Sequence, residues 1–230
     1  MGKRVRLEKR VLSENDREAA RLAARFDRAR VFAANLMSSP GAGKTSLLEE
    51  TARRLGGELR LAAVEGDLAT DRDAQRLRRA GIPAYQVNTG GGCHLSARQV
   101  AEALAHFDLE RLDVLFIENV GNLVCPASFA LGEHRRVVLA STPEGDDKPI
   151  KYPVIFQAAD CIVLNKIDLE EAAGFSREAF RGFVRDLNAR APLLELSCRT
   201  GEGFEAWLQW LRARREAVGR GDFGRAGGRA

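Results

Sequence analysis

One stretch, residues 35–48, constrains the fold of this chain more than any other. It reads Asn-Leu-Met-Ser-Ser-Pro-Gly-Ala-Gly-Lys-Thr-Ser-Leu-Leu, and it joins an apolar run at 31–37 to a helical pattern at 46–55. A buried strand, a glycine-rich turn and a helix in this order are typical of a phosphate-binding loop. Ser38 stands where the usual pattern has its first glycine. The alternative is an ordinary glycine-rich turn that happens to precede a lysine.

Each residue type in this loop suits phosphate chemistry. Gly41 and Gly43 let the backbone curl so that its N–H groups and the helix N-terminus face phosphate oxygens. Lys44 can reach the β- and γ-phosphates, and the Thr45 hydroxyl can ligate Mg²⁺. The predicted nucleotide-binding residues of the loop are Ser39, Gly41, Ala42, Gly43, Lys44, Thr45 and Ser46.

Further apolar runs alternate with helical patterns along the chain. Predicted strands lie at 31–37, 59–65, 84–88, 113–118, 136–141, 161–165 and 193–197. This alternation predicts an α/β fold of the P-loop NTPase type, a mostly parallel sheet flanked by helices on both faces, with ligands at the carboxyl ends of the strands. We expect a helical N-terminal extension at 1–30, a GTPase domain at 31–218 and a disordered tail at 219–230. The extension has a sparse apolar face and is predicted to be a surface helix.

Two acidic residues follow predicted strands near the phosphate loop. Asp67 can hold Mg²⁺ or orient the attacking water, or it can be the N-cap of the next helix. Glu118 opens Glu-Asn-Val-Gly121, which resembles the acidic-x-x-Gly signal of GTPases, so the Gly121 N–H can bond the γ-phosphate. Lys44, Asp67 and Glu118 are the predicted catalytic residues, and Thr45, Asp67 and Glu118 the predicted Mg²⁺ ligands. No glutamine follows Gly121, so we expect slow intrinsic turnover.

The strand at 161–165 delivers Asn165-Lys-Ile-Asp168, the signature of guanine recognition. A carboxylate can accept hydrogen bonds from the N1–H and the exocyclic amine of guanine, which adenine does not offer on that edge. The sequence Ser-Cys-Arg-Thr-Gly201 matches a loop that closes over the base in many GTPases. The nucleotide is therefore predicted to be GTP, and its base is assigned to Asn165, Lys166, Asp168, Ser197 and Cys198.

Residues 89–94 read Thr-Gly-Gly-Gly-Cys-His. Neighbouring side chains on a regular strand point to opposite faces, so Cys93 and His94 can share an ion only on an irregular loop, which the glycines supply. The alternative is a small buried cysteine beside a histidine with ordinary hydrogen bonds.

These pieces together resemble the hydrogenase nickel-insertion GTPases (HypB). The resemblance rests on the segments 38–45, 65–67, 89–95, 118–125 and 165–168 and covers essentially 31–211. It implies a metallochaperone that forms a GTP-dependent homodimer. It also implies two partners, the small zinc-containing protein HypA and the hydrogenase large subunit. Some members carry a cysteine-rich nickel site or a histidine tract near the N-terminus, and this chain has neither.

By the same resemblance the metal ligands are Cys93, His94 and Cys125. Two thiolates and an imidazole suit Ni²⁺ or Zn²⁺ better than Mg²⁺. Three ligands leave a coordination position open, which a second subunit related by a two-fold axis can fill. Because Cys125 lies just past Gly121, phosphate loss is expected to move it, and nickel affinity is expected to differ between the GDP and GTP forms.

The composition of the chain limits which partners and which cellular setting we expect. The chain has 230 residues, a net charge of +4 and no aromatic–basic cluster, so we predict no nucleic-acid partner. Four cysteines without a signal peptide indicate a reducing, cytoplasmic setting, and no run spans a membrane. Cys161 is expected in the core, and His106 and His134 at the surface.

Three rival functions are weaker. The urease accessory GTPases typically have a Cys-Pro-His metal motif, whereas this chain has Gly-Cys-His. Partitioning or scaffold ATPases use an additional lysine where this chain has Ser38 and Ser39, and they have no need of the guanine signature. A metal buffer without catalysis is disfavoured by the missing histidine tract.

Overall fold

The computed structural model describes residues 2–67 and 71–223, with side chains from residue 11 onward except that of Asp67. In these residues a seven-stranded sheet with the order β3-β2-β4-β1-β5-β6-β7 forms the centre, and every neighbouring pair is parallel. The predicted α/β fold is confirmed. The strands are β1 (Phe32–Ser38), β2 (Leu61–Asp67), β3 (Ala84–Asn88), β4 (Val114–Glu118), β5 (Arg135–Ser141), β6 (Cys161–Asn165) and β7 (Leu193–Glu195).

Helices cover both faces of the sheet. Successive side chains of β1 alternate between the two faces: Phe32, Ala34 and Leu36 join one core, whereas Ala33 and Met37 join cores on the other side. The helices of the described residues are α1 (Gly2–Ala29), α2 (Lys44–Leu55), α3 (Arg72–Arg79), α4 (Ala97–Ala103), α5 (Lys148–Lys151), α6 (Pro153–Gln157), α7 (Glu170–Ala173), α8 (Arg177–Leu187) and α9 (Phe204–Gly219). None of them is long and apolar enough to cross a bilayer.

The long N-terminal helix is more firmly attached than its sparse apolar face indicates. Leu22 and Phe26 are fully buried, and α1 packs along α4. The Asn15 amide donates to the Ala130 carbonyl (2.8 Å) and accepts from the Ala97 N–H (2.9 Å). One face of α1 is therefore part of the core, and the helix is joined to the segments on either side of it.

His134 corrects an expectation from the sequence. A surface position is expected for it, yet it is 2% exposed. Its Nδ1 accepts from the Ala33 N–H (3.0 Å), which puts the ring proton on Nε2, facing an Asp27 carboxylate oxygen at 3.0 Å. The histidine thus links α1 to the sheet. Phe223 lies beside its ring, and residues 224–230 of the predicted disordered tail lie outside the described residues.

Candidate nucleotide and metal sites

The phosphate loop runs from the end of β1 to the start of α2 at the carboxyl edge of the sheet. Gly41 and Gly43 have φ values of 80° and 101°, which favour glycine. A Cβ on Gly43 would lie 2.4 Å from the Asn165 amide nitrogen, so the loop and the guanine signature touch here. Lys44 is 8% exposed, and its ammonium donates to the Ser38 hydroxyl at 3.0 Å.

A pair of buried carboxyl groups lies behind this loop. Glu118 accepts a hydrogen bond from the Thr45 hydroxyl (3.1 Å), and Glu65 is its register partner on the neighbouring strand. Sequence reasoning assigns no role to Glu65. Each carboxyl has one buried oxygen without a hydrogen-bond partner among the described residues. Asp67 ends β2, and its side chain lies outside the described part of the structure.

The electrostatics of this pair favour a cation. Burial, followed by the neighbouring Glu118 carboxylate, raises the pKa of Glu65 to about 12. Burial also raises the pKa of Glu118, although the Lys44 ammonium opposes the shift. Two desolvated carboxyls side by side without a cation share a proton instead of both ionising. Carboxylate and hydroxyl oxygens are the ligands that Mg²⁺ prefers, so the donor set fits the predicted ion.

The guanine signature lies at the end of β6, over the phosphate loop. The Asn165 amide donates to the Ala42 carbonyl (2.9 Å), and the Lys166 ammonium donates to the Gly41 carbonyl (2.7 Å). The Cys198 N–H donates to the Asn165 side-chain oxygen (3.2 Å), which ties in the loop after β7. A cleft of about 750 Å³ opens beside these residues, and it is lined by Gly43, Ser46, Asn165, Lys166, Asp168 and Ser197.

Asp168 is not free in this structure. The Ser197 hydroxyl donates to one carboxylate oxygen, and Arg199 forms an ion pair with the other at 2.7 Å. The Ser197 hydrogen bond and then Arg199 lower the pKa of Asp168, so the group is ionised at neutral pH. Sequence reasoning missed Arg199, and also Arg53, Arg76 and Arg79, which line the same cleft. An arginine has no signature of its own, so only the fold reveals where its charge lies.

The two metal-binding segments meet at the surface. The Sγ atoms of Cys93 and Cys125 and a ring nitrogen of His94 all lie within 4.8 Å of one another. The Cys93 Sγ is 3.6 Å from His94 Nδ1, and the His94 ring stacks on Phe129 with 3.9 Å between ring centroids. The Asn122 amide donates to the Cys93 carbonyl (3.2 Å), which joins the two loops directly. Three donors of the kind that bind Ni²⁺ or Zn²⁺ are therefore close enough to share one ion.

The protonation of this cluster follows from its surroundings. The adjacent Cys125 thiol, followed by partial burial, raises the pKa of Cys93. Burial lowers the pKa of His94, which keeps the imidazole neutral and able to coordinate. The other two cysteines are elsewhere: Cys161 is fully buried in β6, and burial raises the pKa of Cys198 to about 12.

The nucleotide and metal sites adjoin through one segment. A Cβ on Gly121 would lie 2.9 Å from the Pro40 backbone, so this glycine allows the segment after β4 to approach the phosphate loop closely. Four residues later Cys125 begins a short 3₁₀ turn, Cys125–Ser128. The structure thus brings the predicted γ-phosphate sensor and a predicted metal ligand together on one stretch of chain.

The sheet order and the loop after β1 define a class, the P-loop nucleotide-binding proteins. Within it, residues 32–195 match the family model described as the CobW/HypB/UreG nucleotide-binding domain. The hydrogenase maturation factor HypB of Azotobacter vinelandii is 50% identical over 92% of this chain and 70% of its own length. The chain belongs to the HypB family of hydrogenase maturation factors, as the resemblance implied.

Solved structures support the same assignment. HypB from Archaeoglobus fulgidus is 42% identical and superposes with a TM-score of 0.83, covering 88% of this chain and 99% of its own. HypB from Helicobacter pylori, crystallised in complex with nickel, is 39% identical with a TM-score of 0.85 and covers 88% of this chain and 95% of its own. Sequence and fold therefore lead to the same family.

Proposed function

We propose that this chain binds and hydrolyses GTP with Mg²⁺, and that it uses the nucleotide cycle to hold and hand on nickel during maturation of a [NiFe] hydrogenase. The observation that carries the proposal is the meeting of Cys93, His94 and Cys125 beside the segment that contacts the phosphate loop. Membership of the HypB family, one of whose members was crystallised with nickel, supports nickel as the cargo.

Hydrolysis would rely on positioning and on neutralisation of charge. Lys44 and the loop N–H groups would hold the phosphates, and Gly121 would bond the γ-phosphate. Thr45, Asp67 and Glu118 would hold Mg²⁺, with Glu65 beside Glu118, and the ion would supply charge neutralisation at the phosphates. Asp67 is the proposed water-orienting residue. No glutamine follows Gly121, so slow turnover, suited to a switch, is part of the proposal.

Selectivity for GTP over ATP would come from Asp168, whose carboxylate suits the donors on the guanine edge. Asn165 and Lys166 would hold the base in place, because both already bond the phosphate loop. Comparable affinity for ATP would contradict this part of the proposal and favour a scaffold-type ATPase.

Dimerisation with GTP is the third part of the proposal. The cluster offers three ligands from one chain, and Val124, beside Cys125, is 62% exposed. A second copy would cover this apolar residue and complete the coordination of nickel or zinc. The proposed partners are the small zinc-containing protein HypA and the hydrogenase large subunit. A urease-type role is the less favoured alternative.

Nickel titration of wild type and of Cys93→Ala tests the cargo. Removing one of three ligands is expected to weaken Ni²⁺ binding at least about 10-fold, because even residues that only orient ligands have effects of this size. Cys161→Ala, which removes a thiol buried in β6, is the matched control and should leave nickel affinity unchanged. Equal affinities for wild type and Cys93→Ala would overturn the proposed site.

A further inference from the structure

A chain of buried polar side chains lies beneath the two sites. Asn119 and Asn35 are 1% and 0% exposed, the Glu133 side chain is 4% exposed, and the Arg136 side chain is 23% exposed. These four residues, which we call the buried polar network, come from the segment after β4, from β1, from the approach to β5 and from β5 itself. None of the four is among the predicted nucleotide or metal ligands, although Asn119 lies within the Glu-Asn-Val-Gly121 signal and Asn35 begins the phosphate-loop stretch.

Asn119 joins the network to one arm of the metal site. Its side-chain oxygen accepts from the Leu95 N–H (3.0 Å) and from the Val120 N–H (3.0 Å). Leu95 directly follows His94 in the chain. The position of His94 is therefore fixed, one residue away, by a side chain of the segment that runs from Glu118 to Gly121.

The network continues to the other arm. The Asn119 amide donates to the Asn35 oxygen (3.3 Å), and the Asn35 amide donates to a Glu133 carboxylate oxygen (3.3 Å). Arg136 Nε donates to the same Glu133 oxygen (2.8 Å), and Arg136 Nη1 donates to the Ala127 carbonyl (3.1 Å). Ala127 lies in the 3₁₀ turn that Cys125 begins. The two metal-binding arms are thus joined through the interior as well as at the surface.

A movement of one residue in the buried polar network is passed on to its hydrogen-bond partners. A buried donor or acceptor that loses its partner pays the full desolvation penalty, so a shift of Asn119 is accommodated best when its partners move with it. Asn119 lies between Glu118, which bonds Thr45, and Gly121, which packs on Pro40. In the proposed function, Mg²⁺ binds Glu118 and the γ-phosphate binds the Gly121 N–H, so the nucleotide would act on the chain on either side of Asn119.

We propose that Asn119 is the positioning residue that transmits the state of the nucleotide to both arms of the metal site, through Asn35, Glu133 and Arg136. This inference rests on the proposed function, because it presupposes that nickel affinity depends on the nucleotide. It adds the physical path of that dependence. Asn119 touches neither the nucleotide nor the metal in this scheme, and it acts through the backbone at residues 95 and 127.

The test measures the ratio of two nickel dissociation constants, one with GDP bound and one with a GTP analogue bound. Nickel dissociation constants of the full chain are determined with GDP and with a non-hydrolysable GTP analogue, using the thiolate-to-nickel absorption as the signal. Couplings between sites are typically about 5–150-fold. In Asn119→Leu the ratio is expected to fall toward one, while nickel still binds because all three ligands remain. Nucleotide affinities measured on the same samples show that the phosphate site is intact.

Asn188→Leu is the matched control. Asn188 is also a buried asparagine, 8% exposed, and its amide donates to the Phe156 and Ala159 carbonyls, which are not part of the buried polar network. Its substitution costs comparable hydrogen bonds and should leave the ratio unchanged. An equal fall of the ratio in Asn188→Leu would mean that general loosening is responsible, and it would overturn the proposal.

A second variant covers the case in which Asn119→Leu does not fold. Arg136→Lys retains the charge on a partly exposed side chain, but a single ammonium cannot replace the fork that bonds both Glu133 and Ala127. Its ratio is expected to fall as well. Unchanged ratios in the folded variants would defeat the network. A wild-type ratio of one would instead defeat the proposed coupling itself, so the two failures are distinguishable.

Discussion

Arg199 forms an ion pair with the Asp168 carboxylate, on which guanine recognition would depend. Its guanidinium lies 2.7 Å from Asp168, and its side chain is 72% exposed. Only 9% of the Asp168 side chain is exposed, but water reaches the guanidinium, so the pair contributes about 1 kcal/mol at most and a base can displace the arginine at that cost. The pair therefore keeps Asp168 ionised and oriented, and a guanine bound as proposed would have to displace Arg199 at the expense of some affinity.

We expect Arg199→Ala to bind GDP up to about 5-fold more tightly, because up to about 1 kcal/mol no longer has to be overcome. Calorimetric titration measures the change, and Arg212→Ala, which removes an exposed ion pair with Glu58, is the control. Weaker binding of GDP by Arg199→Ala would indicate that Arg199 contacts the nucleotide.

Glu65 carries a second prediction at this scale. Because burial and Glu118 raise its pKa, the Glu65 carboxyl is protonated when no cation lies beside it, and Glu65→Gln resembles that form. We expect the variant to have nearly unchanged stability at pH 7, but to need a higher Mg²⁺ concentration for half-maximal GTP hydrolysis. The two measurements are thermal unfolding without nucleotide and a Mg²⁺ titration of turnover. Unchanged Mg²⁺ dependence would exclude Glu65 from the cation site.

Residues inside spaced motifs were predictable, and residues that act through the fold were not. Lys44 and Asp168 lie in patterns whose spacing itself carries chemistry. Glu65 faces Glu118 only because β2 and β4 are neighbours in register, and no local pattern encodes that pairing. The surface position expected for His134 was wrong for the same reason, since its partners Ala33 and Asp27 are distant in sequence.

At the scale of secondary-structure elements, the close packing of α1 against the sheet depends on Gly132. Gly132 has a φ of 78°, and a Cβ there would lie 2.6 Å from Leu22 Cβ and 2.8 Å from the Ala19 carbonyl oxygen. The backbone before β5 therefore packs directly against the helix. A methyl group at this position would push α1 away from the sheet.

Gly132→Ala is accordingly expected to destabilise the protein more than Gly174→Ala does. Both substitutions place alanine at a positive φ, which costs about 1–2 kcal/mol. Gly174 has a φ of 59°, and a Cβ there would meet nothing within 4 Å, so only Gly132 adds an overpacking cost of about 1–3 kcal/mol. Denaturant unfolding measures both variants. Equal destabilisation would mean that α1 moves away at little cost.

Strands bounded by clear turn residues could be located from the sequence, whereas short helices with weak local propensity could not. The predicted strands at 84–88 and 161–165 coincide with β3 and β6, because both are short runs with β-branched or aromatic residues that turn or loop residues bound. Helix α4, Ala97–Ala103, passes directly into a 3₁₀ turn, Leu104–His106, and no local pattern marks the point where the helix tightens. The four-residue helices α5 and α7 are too short to be stable alone and depend on tertiary packing, so local propensity does not predict them.

At the scale of the whole molecule, one carboxylate holds together the end of the sheet opposite the sites. Asp113 accepts from the Arg60 guanidinium (2.8 Å) and from Arg215 of α9 (2.6 Å). The Arg60 hydrogen bond is the main cause that lowers the pKa of Asp113 far below its usual range. The ion pairs thereby tie the approach to β2, the approach to β4 and the C-terminal helix together.

This arrangement predicts how stability depends on pH. Because the folded pKa is lower than the unfolded one, the stabilisation is present above the unfolded value of about 3.9 and is lost as the pH falls further. Asp113→Asn should cost about 1–2 kcal/mol at pH 7 and less at pH 3. Urea unfolding at both pH values measures the difference, with Asp186→Asn, on the exposed face of α8, as control. A cost that does not vary with pH would contradict the ionic origin.

The metal cluster lies at the rim of the molecule, and Cys93 is exposed while His94 and Cys125 are only half-buried. A cation held there remains open to attack by the side chains of another protein. An acceptor can therefore replace the three donors one after another, so that the ion passes between proteins without ever being released into water. If nickel binds there as proposed, the shallow position of the site would make a neighbouring protein, and not the solvent, the natural destination of the ion.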